Sequence, residues 1–528
     1  MGKEFDAVIV GAGLGGLTAA ARLLGDGLRV LVVESDPHPG GTAYTYRRKG
    51  FGFPMGPLGF SSPGVVGDVL RQVGIEDGPQ LVRVHYRLHA FGLEAPLSLP
   101  YGEMITALAA LFPREEAAIS RFFGHMQGIS AQRERLVREG ASSARREESI
   151  SGAAYLDRLV VDWRLRRILG SMGSREPYSG TTLLAAMWSL LCDQGIHYPE
   201  GGLRRLSDTL AAGLGWEPGA GWNADSGDTR SSLGGGSLLL RTRVAGIAVE
   251  GGRAAGVVLA DGTRLEAGAV ISNADFKATL TRLVPREAVP GDLYEAVSSA
   301  RQTSSNLQVC LGLDGARADL SAFRDASRII YRRDTGGAPP DDDGPDWDAP
   351  ETDPHALAGE ELEAALLSAD DPSLAPGGRA VLVIRVAVPH RHFARFRPAP
   401  RRRTPGYFAY KAGLAAALVK EVAVMVPGLE GAVLCMDVAT PLTFEERGGR
   451  SEGAVAGWSW DFSEGEAGST ELIRTPVAGL YMAGYQAYSM LALGGVPSAM
   501  LSGLKAAEYL LAGAGPVSAM PIPGAPVA

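Results

Sequence analysis

The stretch Phe5–Glu34, FDAVIVGAGLGGLTAAARLLGDGLRVLVVE, decides the fold of this chain. Its first part, Phe5–Val10, is a short run of apolar and β-branched residues that is typical of a buried parallel strand. Leu14–Leu24 has the alanine and leucine content of a helix, and Leu28–Val33 returns as a second strand. Strand, helix and strand in this order predict one βαβ unit, because such a unit needs about 30 residues.

Three glycines join the first predicted strand to the helix with the spacing G-x-G-x-x-G. Gly11 permits a tight turn, Gly13 lets a pyrophosphate approach the backbone, and Gly16 allows the helix to pack closely on the strand. The unpaired N–H groups at the helix start, at Leu14 and Gly15, are expected to face the phosphates. A glycine turn without a ligand is the alternative. The complete order of strand, glycines, helix, strand and acid argues against it.

The second predicted strand ends in Glu34, and Ser35 follows it. A carboxylate at this position accepts hydrogen bonds from both ribose hydroxyls of a dinucleotide, whereas it repels a 2′-phosphate. We therefore place Glu34 and Ser35 in a cofactor site that binds FAD or NAD rather than NADP.

The next residues separate FAD from NAD. Ser35–Gly56 contains the pair Gly40-Gly41, then Thr42, and ends in G-F-x-F-x-x-G. This stretch resembles the extended N-terminal signature of FAD-dependent flavoproteins that include phytoene desaturases, carotenoid isomerases, retinol saturases and amine oxidases. In that family the second glycine pair lets a loop close over the pyrophosphate and ribitol of FAD. The family usually has an acidic residue where Pro54 stands.

Four later motifs resemble the same family. His197–Gly202 is similar to its Y-P-x-G-G turn, and Val244 stands where family members place a valine against the adenine end of FAD. Asp371–Gly377 and Thr440–Phe444 are similar to the turns D-P-S-x-A-P-x-G and T-P-L-T-F. The last two favour the phytoene desaturase, carotenoid isomerase and retinol saturase branch over the amine oxidases.

The C-terminal part supports the same cofactor. A predicted strand ends in Gly484, and the stretch GGVPSAM, which contains Gly495, Val496 and Pro497, runs into a helix. Backbone N–H groups at such a helix start suit the electron-rich edge of a reduced flavin. Many relatives have an acid where Tyr485 stands. FAD is therefore the predicted cofactor, held at both ends of the chain.

Composition limits the remaining functions. The chain has 528 residues, a net charge of -8 and 45% hydrophobic residues, so we expect a globular protein without a nucleic-acid partner. Three scattered cysteines predict neither a disulfide framework nor a metal site. His390 and His392 lack further metal ligands nearby, so no metal is predicted. The early first strand leaves no room for a signal peptide, and we expect a cytoplasmic protein.

The predicted fold is α/β. It comprises a Rossmann-like FAD-binding domain with a parallel sheet, a substrate-binding domain with a second, mixed β-sheet, and a helical lid. The expected boundaries are 1–66, 197–290 and 470–511 for the FAD-binding domain, 67–196 for the mostly helical lid, 291–469 for the substrate-binding domain, 334–360 for a mobile insertion within it, and 512–528 for a disordered tail.

An apolar stripe on the predicted helix Ala117–Val137 includes Phe122 and Phe123. Such a stripe is most often part of a core. The alternative is a face that dips into a membrane to admit a lipid substrate, which, with the short apolar run Thr181–Cys192, would make the protein peripheral at the membrane. Neither segment reaches the ~20 residues that span a bilayer.

The resemblance implies an FAD-dependent oxidoreductase that desaturates carbon–carbon bonds of an apolar isoprenoid or polyene. Reduced-flavin isomerisation and double-bond saturation remain open within the family, as does amine oxidation. A non-catalytic isoprenoid-binding protein similar to Rab escort and GDP-dissociation inhibitor proteins is the alternative of another class. No catalytic residue is predicted. No second dinucleotide motif is present, so the expected electron acceptor is oxygen, a quinone or a diffusible carrier.

Overall fold

The computed structural model describes residues 4–138, 151–172, 180–217, 230–334, 336–338, 345–458, 469–490 and 493–523. The described residues form two large sheets, three small sheets and surrounding helices.

The strands are β1 (Phe5–Val10), β2 (Val30–Val33), β3 (Thr45–Arg48), β4 (Phe51–Pro54), β5 (Phe60–Ser61), β6 (Leu81–Val84), β7 (Tyr86–Ala90), β8 (Leu93–Pro96), β9 (Ile196–Pro199), β10 (Arg230–Leu233), β11 (Gly236–Leu239), β12 (Val244–Glu250), β13 (Arg253–Leu259), β14 (Arg264–Ser272), β15 (Ser305–Asp314), β16 (Arg328–Tyr331), β17 (Leu362–Leu366), β18 (Arg379–Val388), β19 (Val433–Ala439), β20 (Ser469–Glu471), β21 (Leu480–Met482) and β22 (Tyr488–Met490).

The α-helices are α1 (Leu14–Gly25), α2 (Pro63–Gln72), α3 (Tyr101–Leu111), α4 (Glu116–Arg138), α5 (Gly152–Leu159), α6 (Trp163–Ser171), α7 (Thr181–Ser189), α8 (Arg204–Ala211), α9 (Phe276–Ala278), α10 (Gly291–Ser299), α11 (Leu367–Asp370), α12 (His390–Ala394), α13 (Tyr407–Val422), α14 (Leu429–Ala432), α15 (Pro441–Gly448) and α16 (Gly495–Leu511).

The first large sheet confirms the predicted Rossmann-like unit. Its strand order is β10-β11-β2-β1-β14-β13-β12, and β21 lies beside β14. The pairs β11–β2, β2–β1, β1–β14 and β14–β21 are parallel, so the centre of the sheet is parallel. The central strands are almost wholly apolar and buried, as strands covered on both faces must be. We call this the nucleotide sheet.

Helices α1 and α16 pack together against the nucleotide sheet. Their backbones approach so closely at Gly503 that a Cβ atom there would lie 1.9 Å from the carbonyl oxygen of Gly15. A Cβ atom on Gly15 would likewise lie 2.8 Å from Ala499 O, so the start of α1 packs against the N-terminal half of α16.

The second large sheet is mixed, as predicted. Its order is β19-β15-β18-β17-β16-β7-β8, with one parallel pair, β16–β7. One face packs on α13 through buried leucine and valine side chains. The other face continues under the helical block of α3 to α7, where Leu88 of β7 joins the core of that block. We call this sheet the second sheet.

Two parts of the chain contain more strands than predicted. Ser237–Val249, whose apolar residues predict one continuous strand, is divided into β11 and β12, which lie at different positions of the nucleotide sheet. Residues 67–196, predicted to be mostly helical, also contain β6, β7 and β8, and β7 and β8 belong to the second sheet. β6 pairs with β9, and β7 pairs with β16 as well as with its neighbour β8, so the positions of these strands depend partly on distant segments of the chain.

The apolar stripe of α4 belongs to a core. Phe122 and Phe123 are both 0% exposed and pack edge to face against Trp188 of α7. Most of the second run, Thr181–Cys192, is buried in the same cluster. The alternative that this stripe forms a membrane face is therefore wrong. Among the described residues, no helix is both long enough and apolar enough to cross a bilayer.

The expectation of a mobile insertion at 334–360 does not fit its second half. Leu357 is 1% exposed and packs in the core of the second sheet, and Thr352 N–H donates a hydrogen bond to the Tyr410 hydroxyl over 3.1 Å.

The expected disordered tail, residues 512–528, is also partly packed. Met520 is buried, and Val517 N–H donates to Thr475 O over 3.1 Å. Trp216–Ser232, whose content of Gly, Asp and Ser predicts an inserted loop, lies mostly outside the described residues.

Candidate functional site

A cavity of 1620 Å³ lies between the nucleotide sheet and the second sheet. Typical small-molecule sites measure about 300–1,000 Å³, so this cavity has room for a large cofactor together with a second molecule. Of the fifteen residues predicted to bind the cofactor, thirteen line it: Gly11, Gly13, Leu14, Gly15, Glu34, Ser35, Gly40, Gly41, Thr42, Val244, Gly484, Gly495 and Val496. Gly16 and Pro497 do not.

The first glycine turn follows β1 and leads into α1. Gly11 has φ +94°, a conformation that favours glycine. No side chain caps the start of α1, so its first N–H groups are open toward the cavity that Leu14 and Gly15 line. Gly16 has the packing role that its position predicts, because a Cβ atom there would lie 2.1 Å from Gly11 O.

The second glycine pair closes onto the first turn. Gly40 N–H donates to Ala12 O over 2.7 Å, and Gly40 and Gly41 have φ of +115° and +54°. A Cβ atom on Gly41 would lie 3.4 Å from the Cα of Gly13. Thr42 Oγ1 then accepts a hydrogen bond of 2.5 Å from Arg450. This side of the cavity is thus made of closely spaced backbone.

Glu34 is buried at the end of β2. Its carboxylate accepts hydrogen bonds from Ala12 N–H over 2.7 Å and from Asp36 N–H over 2.8 Å. Burial nevertheless raises the pKa of Glu34 above its usual value, and these backbone hydrogen bonds oppose the shift. Ser35 Oγ donates a third hydrogen bond to the carboxylate over 3.1 Å. A carboxylate can accept about four hydrogen bonds, so ribose hydroxyls can still donate to Glu34.

The start of α16 forms another part of the wall. Gly484 N–H donates to Ser502 Oγ over 2.7 Å, and Gly495 and Val496 line the cavity. A Cβ atom on Gly495 would have no heavy atom within 4 Å, whereas Pro497 is buried in the protein. No side chain caps this helix start either.

Sequence reasoning missed several polar residues of the wall. Asp275 accepts hydrogen bonds from Ser451 N–H over 2.9 Å and from Ser451 Oγ over 2.5 Å. Gln486 accepts one from Phe276 N–H over 3.0 Å. These contacts join residues more than 170 positions apart in the chain, and no local pattern indicates them.

Tyr485 occupies the position where relatives often have an acid. Its ring lies under the Arg450 guanidinium at 4.9 Å from the ring centroid, and burial raises the pKa of its hydroxyl. The buried hydroxyl has no hydrogen-bond partner among the described residues. Tyr485 and Arg450 both line the cavity.

The second sheet contributes a polar wall. Arg385 Nε donates to Gln308 Oε1 over 2.9 Å, and its Nη2 donates to Gly56 O. Glu363 accepts a hydrogen bond of 3.2 Å from the Tyr86 hydroxyl. Tyr86, Glu363 and Arg385 all line the cavity. Burial lowers the pKa of Arg385 and raises that of Tyr86.

The two neighbouring histidines have protein partners. His390 Nε2 lies 2.8 Å from Glu445, and His392 lies 2.7 Å from the Tyr410 hydroxyl and 2.9 Å from Trp347 O. Among the described residues, no group of three or more His, Cys, Asp or Glu side chains could hold a metal ion.

The wall fits a dinucleotide. Two uncapped helix starts offer N–H groups to phosphate or flavin oxygens, the glycine turns leave no Cβ atoms between backbone and ligand, and Glu34 offers its carboxylate. Gly495 leaves open space where a side chain would otherwise enter the cavity. The donor set contains amides and hydroxyls, which suit an organic cofactor.

Similar proteins were found by sequence. A family model described as flavin containing amine oxidoreductase matches residues 14–402. Chloroplastic prolycopene isomerase of Daucus carota is 29% identical over 341 residues, which cover 59% of this chain and 52% of that protein. The corresponding isomerase of Arabidopsis thaliana is 26% identical and covers 91% of this chain and 78% of the relative. A zeta-carotene-forming phytoene desaturase of Myxococcus xanthus is 29% identical, with coverages of 73% and 72%.

These relatives confirm the resemblance inferred from the motifs. The matches to the carrot and Oncidium isomerases span about half the length of those proteins. Solved structures show the same fold at lower identity. An oxidoreductase from Methanosarcina mazei has a TM-score of 0.59 at 18% identity, covering 95% of this chain and 99% of that one. A putrescine oxidase variant with altered cofactor binding has a TM-score of 0.59 at 16% identity, with coverages of 96% and 99%.

Proposed function

Because this chain belongs to the family of flavin-containing amine oxidoreductases and is an FAD-dependent oxidoreductase, we propose that it desaturates carbon–carbon bonds of an apolar isoprenoid or polyene. The observation that carries the proposal is the cavity of 1620 Å³, which is large enough for FAD and an extended substrate. The desaturase relatives support the substrate class.

In this proposal the two glycine turns and the start of α1 bind the pyrophosphate of FAD, and Glu34 binds the ribose. Val244 lies at the adenine end, and Gly495 and Val496 at the start of α16 offer N–H groups to the flavin. When bound, FAD supplies the two-electron acceptor. The protein positions the substrate and excludes water from the cavity, as flavoenzymes generally do. Oxygen, a quinone or a diffusible carrier reoxidises the cofactor.

Isomerisation is the second candidate, because proteins named prolycopene isomerase are among the relatives. Isomerisation is redox-neutral, so it requires no external electron acceptor. Double-bond saturation remains a variant of the same chemistry. Amine oxidation is a further candidate, because acidic side chains such as Glu363 line the cavity together with arginines such as Arg385. A non-catalytic escort function has no use for the uncapped starts of α1 and α16 in the cavity wall.

The test begins with the visible spectrum of the purified protein, which should show bound flavin. Anaerobic titration of the oxidised protein with C40 polyenes should bleach the flavin absorbance if the protein desaturates its substrate. Product analysis with oxidised and with chemically reduced enzyme then separates desaturation from isomerisation and saturation. A flavin-free protein that binds polyenes would contradict the proposal, as would flavin that no polyene perturbs.

A further inference from the structure

One face of the second sheet carries a row of polar side chains. Gln308 of β15 and Glu363 of β17 are the direct cross-strand neighbours of Arg385 on β18. The next residue along each strand lies on the other face, and Leu307, Ala364 and Ile384 there are fully buried among apolar groups. A site for a pure hydrocarbon gains nothing from such a row, because burying charged groups costs free energy unless they bind a partner.

Arg385 is only partly satisfied by the protein. A guanidinium has five N–H donors, of which the described contacts use Nε with Gln308 and Nη2 with Gly56 O. Nη1 lies 3.9 Å from Glu363 Oε2, which is too long for a direct hydrogen bond. Among the described residues, no closer acceptor to Nη1 is found.

Glu363 is similarly incomplete. Its Oε1 accepts from Tyr86, and its Oε2 lies across the gap of 3.9 Å from Arg385 Nη1. Both side chains line the cavity, so a group inserted from the cavity can accept from Nη1 and donate to Oε2. A hydroxyl does both. A carboxylate would be repelled by Glu363, and an ammonium would be repelled by Arg385. A hydrocarbon would leave the 3.9 Å gap between the two charges without a hydrogen-bonding group.

We propose that Arg385 and Glu363 bind a hydroxyl group of the substrate, which is therefore an isoprenoid or polyene alcohol rather than a hydrocarbon. This inference rests on the proposed function and specifies the substrate class of the same site. Tyr86 and Gln308 hold the two charged groups at the distance that the hydroxyl bridges.

The test compares four ligands that share one C20 isoprenoid chain: geranylgeraniol, geranylgeranoic acid, geranylgeranylamine and the hydrocarbon without a head group. Each is titrated anaerobically into the FAD-loaded, oxidised enzyme, and binding is followed by the change in the flavin spectrum. The alcohol should bind at least about tenfold more tightly than each of the other three, because a hydrogen bond to a charged group is at stake.

The variant Glu363→Gln sharpens the test. It removes the negative charge while keeping the side-chain shape, so Arg385 becomes free to bind an anion. The acid should then gain at least about tenfold relative to the alcohol. Glu421→Gln is the matched control, because Glu421 is buried and ion-paired with Arg333 outside the cavity. That variant should leave all four affinities in their wild-type order.

Two results would overturn the inference while leaving the proposed function intact. One is turnover of a hydrocarbon polyene by an enzyme that binds the alcohol no better than the hydrocarbon. The other is an acid-to-alcohol ratio that Glu363→Gln does not change in protein with full flavin content. If no isoprenoid perturbs the flavin and no polyene is turned over, the proposed function fails, and the inference fails with it.

Discussion

At the scale of single residues, a side chain would have different effects at two of the glycines. A Cβ atom on Gly16 would collide with Gly11 O, whereas one on Gly495 would enter open space at the cavity wall. Gly16→Ala should therefore destabilise the protein by about 1–3 kcal/mol through overpacking and reduce bound flavin as a consequence. Urea unfolding and the flavin-to-protein absorbance ratio measure both effects. Wild-type stability in Gly16→Ala would contradict the close packing.

Gly495→Val should behave in the opposite way. The valine has room in the apo-protein, so folding should be unchanged, but its side chain occupies space that we assign to FAD. Flavin content should fall severalfold while the circular dichroism spectrum stays at wild type. Gly64→Val is the control, since Gly64 also lies in the first turn of a helix with open space around it but outside the cavity wall. Full flavin occupancy in Gly495→Val would remove this residue from the site.

Glu34 makes a prediction about pH. Burial raises its pKa in the folded protein, so above the usual glutamate value of about 4.3 the native state binds more protons than the unfolded state. The free energy of unfolding of the apo-protein must then fall as pH rises through this range. Glu34→Gln removes this contribution. Urea unfolding of both apo-proteins between about pH 4.5 and 7 should show the steeper decline in wild type. Equal slopes would contradict the prediction.

At the scale of elements, the segment that follows residue 344 shows where composition misleads. It is rich in proline and aspartate, yet Leu357 is buried in the core and Trp347 O lies 2.9 Å from His392. Leu357→Ala should reduce the free energy of unfolding by about 2–5 kcal/mol. Leu233→Ala, at a leucine that is 57% exposed, should change it by less than about 0.5 kcal/mol. Similar effects of the two changes in urea unfolding would refute the packing.

Helix α4 makes the corresponding prediction for the apolar stripe. Phe123 packs against Trp188 and Phe122 and is fully buried, so Phe123→Ala should cost about 3–5 kcal/mol of stability. Urea unfolding measures this loss. Any flotation of the wild-type protein with vesicles should be independent of this stripe. If Phe123→Ala kept wild-type stability but lost flotation with vesicles, the stripe would be a membrane face after all.

The sequence predicts local features of the fold and site better than distant ones. The β1-α1-β2 unit and its glycines follow from some thirty consecutive residues, so spacing alone indicated the turn, the helix and the acid. The row of Gln308, Arg385 and Glu363 comes from three strands and depends on their register, which depends on pairing over long stretches of chain. The stripe of α4 is ambiguous for another reason, because a core and a membrane select the same periodicity.

At the scale of the whole molecule, the cavity couples distant parts of the chain. The nucleotide sheet contains strands from the beginning, the middle and the C-terminal part of the chain. In particular, β1 pairs with the distant β14 as well as with β2. Residues 5–34 therefore cannot form the sheet by themselves. The second sheet supplies the facing wall through β15, β17 and β18. A ligand that fills the cavity contacts both sheets at once.

This arrangement predicts how cofactor removal changes unfolding. FAD binds only the assembled cavity, so FAD at 100 times its dissociation constant should add about 2.7 kcal/mol to the free energy of unfolding. Because both sheets contribute to the wall, flavin fluorescence and far-ultraviolet circular dichroism should report one coincident thermal transition in the holoprotein, at a higher temperature than in the apo-protein. Added FAD should hardly shift the transition of Gly495→Val. Flavin release well below the unfolding of either sheet would show that the cofactor does not couple them.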